Sequence, residues 1–290
     1  MRILGVVVLL SLSACDLVFK VNVSGADGGG PGDDAARGDT GVTGCRDDSQ
    51  LGDFDGDMVR DGCDNCPIDP NGPNNLDNQT DSDGDGVGDL CDPDPTHGRE
   101  TLVAFDPLDA LNQDWVFDGD WTLAAGGGYQ QNDPAIFALA LNRTAYKNPY
   151  VQLRFRDVAG LGTDLHSAGA FVVTKPGTAD PSDGIACIVQ RDALAGDKFV
   201  LFRRVNNGDQ PATKMLIGSG DFNMQFSSTL YDLGVPPGPT GPQCQLTRDD
   251  TLDLLGFGVQ ASVFGQVGLW TDHASATFLA IMILELDLPL

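Results

Sequence analysis

Between Glu100 and Leu290 the apolar residues fall in short runs separated by turn-forming residues. Val151-Gln152-Leu153-Arg154-Phe155-Arg156 alternates strictly, the period of a strand with one buried face and one wet face. Other runs are uninterrupted: Ala170-Phe171-Val172-Val173, Ile185-Ala186-Cys187-Ile188-Val189, Phe199-Val200-Leu201-Phe202 and Phe278 to Leu284. Clusters such as Lys175-Pro176-Gly177, Asn206-Asn207-Gly208-Asp209 and Pro236-Pro237-Gly238-Pro239 break them up. No segment sustains a 3.6-residue stripe. Many short strands without helices predict an all-β sandwich, and about 190 residues is a comfortable size for one such domain.

Upstream the pattern differs. Met1-Arg2 is a short positive start, Ile3 to Leu12 is mostly apolar, and Leu12-Ser13-Ala14-Cys15 ends the stretch with small residues before a cysteine. This resembles a bacterial lipobox. The resemblance implies cleavage after residue 14 and diacylglycerol on the Cys15 sulfur, with further acylation of the new amino group in many bacteria. Several acyl chains anchor firmly, at about 0.8 kcal/mol per buried methylene, where a single chain holds only marginally. The alternative is an ordinary secretory signal with an incidental cysteine, and in both cases the mature protein leaves the cytoplasm. Asp16 follows the modified cysteine, a position that resembles the inner-membrane retention signal of enteric bacteria. Sorting rules differ between bacterial groups, so the target membrane stays open; the expectation is a lipid-anchored protein of the bacterial cell envelope, with the outer membrane or cell surface favoured over the inner membrane.

Residues 15–44 are rich in Gly, Asp, Ala and Thr, centred on Gly28-Gly29-Gly30-Pro31-Gly32-Asp33-Asp34, and read as a flexible, self-repelling linker. From Cys45 to Asp94 fifteen Asp face only Arg46 and Arg60, with Cys45, Cys63, Cys66 and Cys91 among them. So few large apolar side chains give no hydrophobic core, and order is expected from metal and disulfides. The divisions are therefore 1–14 signal, 15–44 lipidated cysteine and linker, 45–98 acidic segment and 99–290 sandwich.

Charge and composition narrow the function. With 42 acidic against 17 basic residues in 290, the net charge of -25 argues against nucleic-acid binding. A hydrophobic share of 41% is too high for a wholly disordered chain. No apolar run reaches the roughly 18 residues of a membrane-spanning helix.

Within the acidic segment, Asp81, Asp83, Asp85, Asp89 and Asp92 occupy positions 1, 3, 5, 9 and 12 of a wrapped loop, with Gly86 at 6 and the Val87 carbonyl at 7. This is the ligand order of an EF-hand-type calcium loop, with Asp in place of the longer Glu at position 12. Asp53, Asp55, Asp57, Asp61 and Asp64 repeat the spacing, but Met58 stands where the other loop has Gly86, so this turn is expected to be distorted. Five crowded carboxylates repel one another, and Ca2+, with six to eight oxygen ligands, offsets that repulsion better than octahedral Mg2+. A solvated acidic spacer is the bland alternative.

Cys63-Asp64-Asn65-Cys66-Pro67 followed by Asp77 through Asp92 resembles the thrombospondin type 3 repeat over about 50 residues. That resemblance implies a calcium-filled, disulfide-stapled rod without a hydrophobic core, paired Cys45 to Cys63 and Cys66 to Cys91. Four cysteines by themselves allow three pairings. A dockerin, which also carries paired loops, would need a Leu-rich helix that is missing here. Cys187 and Cys244 are expected to join strands as a disulfide, since an exported chain meets oxidising conditions.

The sandwich is similar to concanavalin A-like jelly rolls of the laminin-G type. The resemblance rests on Trp115-Val116-Phe117-Asp118-Gly119-Asp120-Trp121, on Ala168 to Val173, and on Gly265-Gln266-Val267-Gly268-Leu269-Trp270-Thr271 with Ala276-Thr277-Phe278. It implies glycan or protein recognition, or polysaccharide hydrolysis in some relatives. Trp115, Trp121 and Tyr129 are candidates for an exposed aromatic platform, against the commoner fate of core aromatics. Hydrolysis needs two carboxylates across a sugar. The two Glu are Glu100 and Glu285, and Glu285-Leu286-Asp287 is similar to only part of the acidic motif of family 16 glucanases. His97, His166 and His273 lack metal-ligand spacing, and no nucleophile elbow, phosphate loop or zinc motif occurs. The expected function is a lipoprotein whose calcium-stiffened stalk presents a lectin-like sandwich to a glycan or protein. The alternatives are a carbohydrate-active enzyme and a structural envelope protein with calcium as its one ligand.

Overall fold

The computed structural model describes Cys45 and residues 52–75, 77–160, 165–173, 184–192, 196–205, 213–221, 231–235, 237–238, 241–248, 251–256 and 264–287, with backbone alone from 192 to 256. The signal, the lipidation site Cys15, the linker and the side chain of Cys244 lie outside the described residues. Among the described residues there is no helix, and therefore none long and apolar enough to cross a membrane.

The chain forms a jelly-roll β-sandwich: the all-β sandwich is what the alternation and turn pattern predicts, and the jelly roll is what the resemblance to concanavalin A-like domains implied. Its strands are β1 (Glu100–Asp106), β2 (Trp115–Asp118), β3 (Trp121–Leu123), β4 (Tyr129–Gln131), β5 (Phe137–Lys147), β6 (Pro149–Gly160), β7 (His166–Val173) and β8 (Gly184–Asp192). They continue with β9 (Gly196–Val205), β10 (Thr213–Asp221), β11 (Tyr231–Val235), β12 (Pro237–Gly238), β13 (Gly241–Arg248), β14 (Thr251–Gly256), β15 (Phe264–Asp272) and β16 (Ala274–Leu286). One sheet runs β12-β13-β11-β6-β16-β4-β3, with β1 also on β16 and β14 on β13; the other runs β10-β9-β8-β7-β15-β5-β2.

The uninterrupted apolar runs have a physical reason. A strand buried on one face alternates, whereas one covered on both does not. On β16, Ala274, Ala276 and Phe278 face the central core, a bulge between Phe278 and Ala280 shifts the register, and Ile281 and Ile283 then continue inward. Ala280, Met282, Leu284 and Leu286 form part of a second cluster on the opposite face of the sheet. The other sheet behaves alike: Ala170, Val172, Cys187 and Val189 enter the central core, while Phe171, Ala186 and Ile188 join Leu139 and Trp270 in a third cluster.

What covers the outer face at β16 is the acidic segment. Cys66, Ile68, Val87 and Cys91, with Phe54 beside them, pack against Leu102, Phe105, Tyr150, Met282 and Leu284. The expectation of a segment without hydrophobic burial is therefore corrected. Its few apolar side chains are too sparse to form a core alone, but the sheet supplies the other half. Ile68 and Val87 are 2% and 0% exposed, and each such burial stabilises by about 1.5–3 kcal/mol. Acidic segment and sandwich accordingly belong to one compact unit.

The reading of β6 as half wet is corrected for the same reason. Tyr150 lies in the outer cluster, and Gln152 Nε2 donates to Cys91 O at 3.3 Å. Arg154 donates from Nη1 to Ile68 O at 2.6 Å and from Nη2 to Asp69 Oδ1 at 2.8 Å. At Gln152 and Arg154 the polar face of this strand holds the acidic segment instead of facing water, whereas Arg156 stays half-exposed beside Asp157.

Candidate functional site

The two aspartate loops are built on one hydrogen-bond plan. In the first, Asp53 accepts from Gly56 N at 2.9 Å and Met58 N at 3.2 Å; in the second, Asp81 accepts from Gly84 N at 2.7 Å and Gly86 N at 2.9 Å. Asp57 Oδ1 takes Val59 N at 2.7 Å, and Asp85 Oδ1 takes Val87 N at 2.9 Å. Asp61 Oδ1 accepts from Phe54 N at 2.8 Å, as Asp89 Oδ1 does from Ser82 N at 2.7 Å. Asp64 Oδ1 takes Cys66 N and Asp92 Oδ1 takes Asp94 N, at 2.8 and 2.7 Å. Short side chains accepting from the next amides wind each loop tightly, which is why Asp rather than Glu fills these positions.

The turn at Met58 is not distorted. Gly56 and Met58 have φ of 79° and 80°, matching 82° and 95° at Gly84 and Gly86. A side chain in this left-handed region carries a strain that glycine avoids, and Met58 is 63% exposed, so little packing offsets it. Met58→Gly is expected to stabilise the protein by about 0.5–1 kcal/mol. Chemical denaturation checks this, and an unchanged or lowered midpoint contradicts it.

Carboxylates converge at three places. Asp53, Asp55 and Asp57 bring ligand oxygens within 4.8 Å of one another, as do Asp81, Asp83 and Asp85, and as do Asp85, Asp92 and Glu100. Among the described residues, the buried carboxylate oxygens without a hydrogen-bond partner are Oδ2 of Asp55, Asp64, Asp77, Asp83 and Asp92. Four of these are equivalent pairs, at loop positions 3 and 12 of both loops. Such an oxygen costs free energy unless a donor or a cation meets it.

Crowding shows in the proton affinities. Burial pushes Asp55 up to about 7, with repulsion from Asp64 and Asp57 adding to it. Burial likewise pushes Asp64 to about 7 against hydrogen bonds from Gln79 and Cys66 N that lower it. Asp92 reaches about 7, mainly through burial, with Asp85 and Asp83 also raising it. Glu100 rises to about 7 by burial and by the charges of Asp92 and Asp85.

Glu100, weighed from sequence only as one of two glutamates for hydrolysis, and an amide cluster were not named there as part of the aspartate loops. Glu100, at the start of β1, is 3% exposed, and its N–H donates to Asp85 Oδ2 at 2.9 Å. In the first loop Asn71 N takes the same part toward Asp57 Oδ2 at 3.0 Å. Gln79 Nε2 donates to Asp64 Oδ1 at 2.8 Å and Gln79 Oε1 accepts from Asn65 N at 3.0 Å. The signal for these amides was present in the thrombospondin-like stretch; for Glu100 it lies only in the docking of the segment on β1. Disulfides join Cys45 to Cys63 and Cys66 to Cys91, and Cys187 is also disulfide-bonded.

The aromatic candidates are corrected. Trp115, Trp121 and Tyr129 are 3%, 8% and 0% exposed and belong to the central core, so they form no exposed platform. Their polar ends are satisfied inside: Trp115 Nε1 donates to Asp106 Oδ2, Trp121 Nε1 to Asp118 O and Tyr129 OH to Ala110 O. The large rings fill the space between sheets near short strands that offer little else. Glu285 sits between Leu284 and Leu286 of the outer cluster and so projects from the other face of the sheet than Glu100. Its Oε1 accepts from Lys147 N at 2.7 Å.

No family model matches the chain, and no curated protein matches it. Among solved structures, a carbohydrate-binding module from Bacillus subtilis is 20% identical, over 57% of this chain and 91% of that one, with a TM-score of 0.43. The Emp47p carbohydrate recognition domain is 12% identical over 62% and 93%, at 0.44. A Bacillus licheniformis β-glucanase is 10% identical over 62% and 96%, at 0.43. At such TM-scores these likenesses carry no argument.

Proposed function

We propose that this protein is a calcium-dependent recognition module of the bacterial cell envelope. Cys15 carries the lipid anchor, the acidic loops hold calcium, and the sandwich recognises an extracellular glycan or protein. The single observation that carries the calcium reading is the recurrence of unpartnered Oδ2 atoms at positions 3 and 12 of both loops. A spacer of solvated carboxylates would leave neither the same atoms buried twice nor two identical hydrogen-bond plans. Asp53, Asp55, Asp57 and Asp64 would hold one ion, and Asp81, Asp83, Asp85 and Asp92 another, with Val59 and Val87 carbonyls at position 7. All are oxygen ligands, the set a hard divalent cation takes. Asp61 and Asp89 brace the loops by accepting from Phe54 N and Ser82 N. Glu100 contributes from the sandwich to the second site, so the ion joins segment and sheet.

Calcium titration by calorimetry is the direct test. Saturable heat lost in Asp55→Asn/Asp83→Asn is expected; no heat in the parent chain sinks the calcium reading. The recognition reading is tested separately by an array of extracellular glycans and envelope proteins probed with and without calcium. Retention of no component leaves the structural alternative, with calcium as the one ligand.

The acid groups set a pH dependence whose sign depends on calcium. Without the ion, Asp55, Asp64 and Asp92 have folded pKa values of about 7 against an ordinary 3.8, and Glu100 about 7 against 4.5. The folded chain then binds more protons than the unfolded one between these values, so stability falls as pH rises through that window. With calcium bound the carboxylates stay ionised, and protons compete with the ion. Melting in chelator is therefore expected to be higher at pH 5 than at pH 7.5, with the order reversed in excess calcium. The same order in both media contradicts this.

A further inference from the structure

The two aspartate loops are joined by more than the chain between them. Asp64 is the last ligand position of the first loop and Asp81 the first of the second, and a network of amides lies between. Asn65 and Asn71 are 3% and 0% exposed. Asn71 N donates to Asp57 Oδ2 at 3.0 Å, and Asn71 O accepts from Gln79 N at 2.7 Å. The Asn71 side-chain amide meets those of Asn65 and Gln79. Asn65 N donates to Gln79 Oε1 at 3.0 Å and Asn65 Nδ2 to Gln79 O at 3.1 Å. Toward the second loop, Gly88 N donates to Asn65 O at 3.1 Å and Asp89 N to Thr80 O at 2.8 Å.

Gln79 is where these bonds converge. Its Nε2 donates to Asp64 Oδ1 at 2.8 Å and leaves Oδ2 of that carboxylate free, while its main chain stands two residues before Asp81. One residue thus holds the last ligand position of one loop and delivers the first of the other. The backbone there is strained, with φ of 51° at Asn78 and 58° at Gln79. Asparagine tolerates the left-handed region; glutamine does not share that tolerance. The hydrogen bonds to Asn65, Asn71 and Asp64 offset the strain, so the turn has a held arrangement and a relaxed one.

We propose that Gln79 is a positioning residue through which the two loops bind calcium with positive coupling. This rests on the calcium reading above and adds the regulation of those sites. An ion in the first loop fixes Asp57 and Asp64, these fix Asn71 and Gln79, and the held turn keeps Asp81 in place for the second ion. Charge alone gives the opposite sign. A first loop carrying Asp55→Asn and no ion is still more negative than the parent loop filled with a doubly charged one. Coulomb attraction therefore makes the second ion bind more tightly when the first is absent. Support through Gln79 makes it bind more weakly.

The test is calcium calorimetry on the full chain. Asp55→Asn leaves the second loop to be titrated, and Asp83→Asn leaves the first. The product of the parent's two stepwise association constants, divided by the product of these two single-loop constants, is the coupling factor. The three titrations are repeated with Gln79→Gly, which permits the left-handed turn without the side chain, and with Gln79→Asn, whose amide falls one methylene short of Asp64. The expected factor is at least about fivefold in the parent and under about twofold in both Gln79 backgrounds, each still taking up two ions. A smaller parent factor overturns the proposal whether or not the Gln79 variants fold. So does a factor that survives in either background, which assigns the coupling to the Cys66–Cys91 bridge, or loss of one ion in both, which makes Gln79 a part of one site alone. No calcium heat in the parent removes the calcium reading itself; two uncoupled heats leave that reading and remove only the part given to Gln79.

Discussion

Chelating calcium from the purified chain is expected to lower its melting temperature by roughly 10–20 °C. An ion held at a hundred times its dissociation constant stabilises by about 2.7 kcal/mol, so two sites contribute about 5 kcal/mol. For a protein of this size each kcal/mol shifts the midpoint by about 2–4 °C. The whole molecule should respond. Phe54, Ile68 and Val87 share a hydrophobic cluster with Leu102, Phe105 and Met282, so loosening the loops uncovers the sheet. A scanning calorimeter should record one transition that moves with free calcium. A main transition indifferent to chelator, with or without a small early one, contradicts both the ion and the coupling.

The second large effect concerns the disulfides. Cys66→Ala/Cys91→Ala is expected to destabilise the calcium-loaded protein by about 3–5 kcal/mol. Chain entropy supplies part, since the bridge closes a separation of 25 residues. Packing supplies the rest: Cys66 and Cys91 are 0% and 3% exposed inside the cluster that seats the segment on the sheet. The Cys45–Cys63 bridge is the internal control. It closes a similar separation of 18 residues, but Cys45 is exposed. Loop entropy alone makes the two losses nearly equal; the packing argument makes that of Cys66–Cys91 larger. Denaturant titration of the two double variants decides between them.

Much of the geometry of the aspartate loops was legible because their hydrogen bonds are local. A calcium loop is specified by side chains within twelve positions, and the aspartate spacing is visible without any fold. Glu100 was not legible in this way, because it reaches Asp85 and Asp92 only after β1 pairs with β16 and the segment lies across them. Met58 shows the converse. Its identity suggested a different turn, yet the hydrogen bonds to Asp53 hold it in the conformation that glycine adopts in the other loop.

The strand pattern fixed the class of fold and even the doubly buried strands, since uninterrupted runs such as Phe278 to Leu284 allow no wet face. It did not reveal what lay on the far side. Alternation on β6 marks Gln152 and Arg154 as polar, and polar residues face water or a partner with equal ease as far as periodicity is concerned. Likewise Trp115, Trp121 and Tyr129 are equally suited by composition to a surface platform or a core. The sequence by itself determined the strands, the loop chemistry and the charge, because these depend on neighbours along the chain. Only the tertiary structure decided that the acidic segment covers the sandwich and that the rings lie inside it, because burial depends on which surfaces meet across the fold.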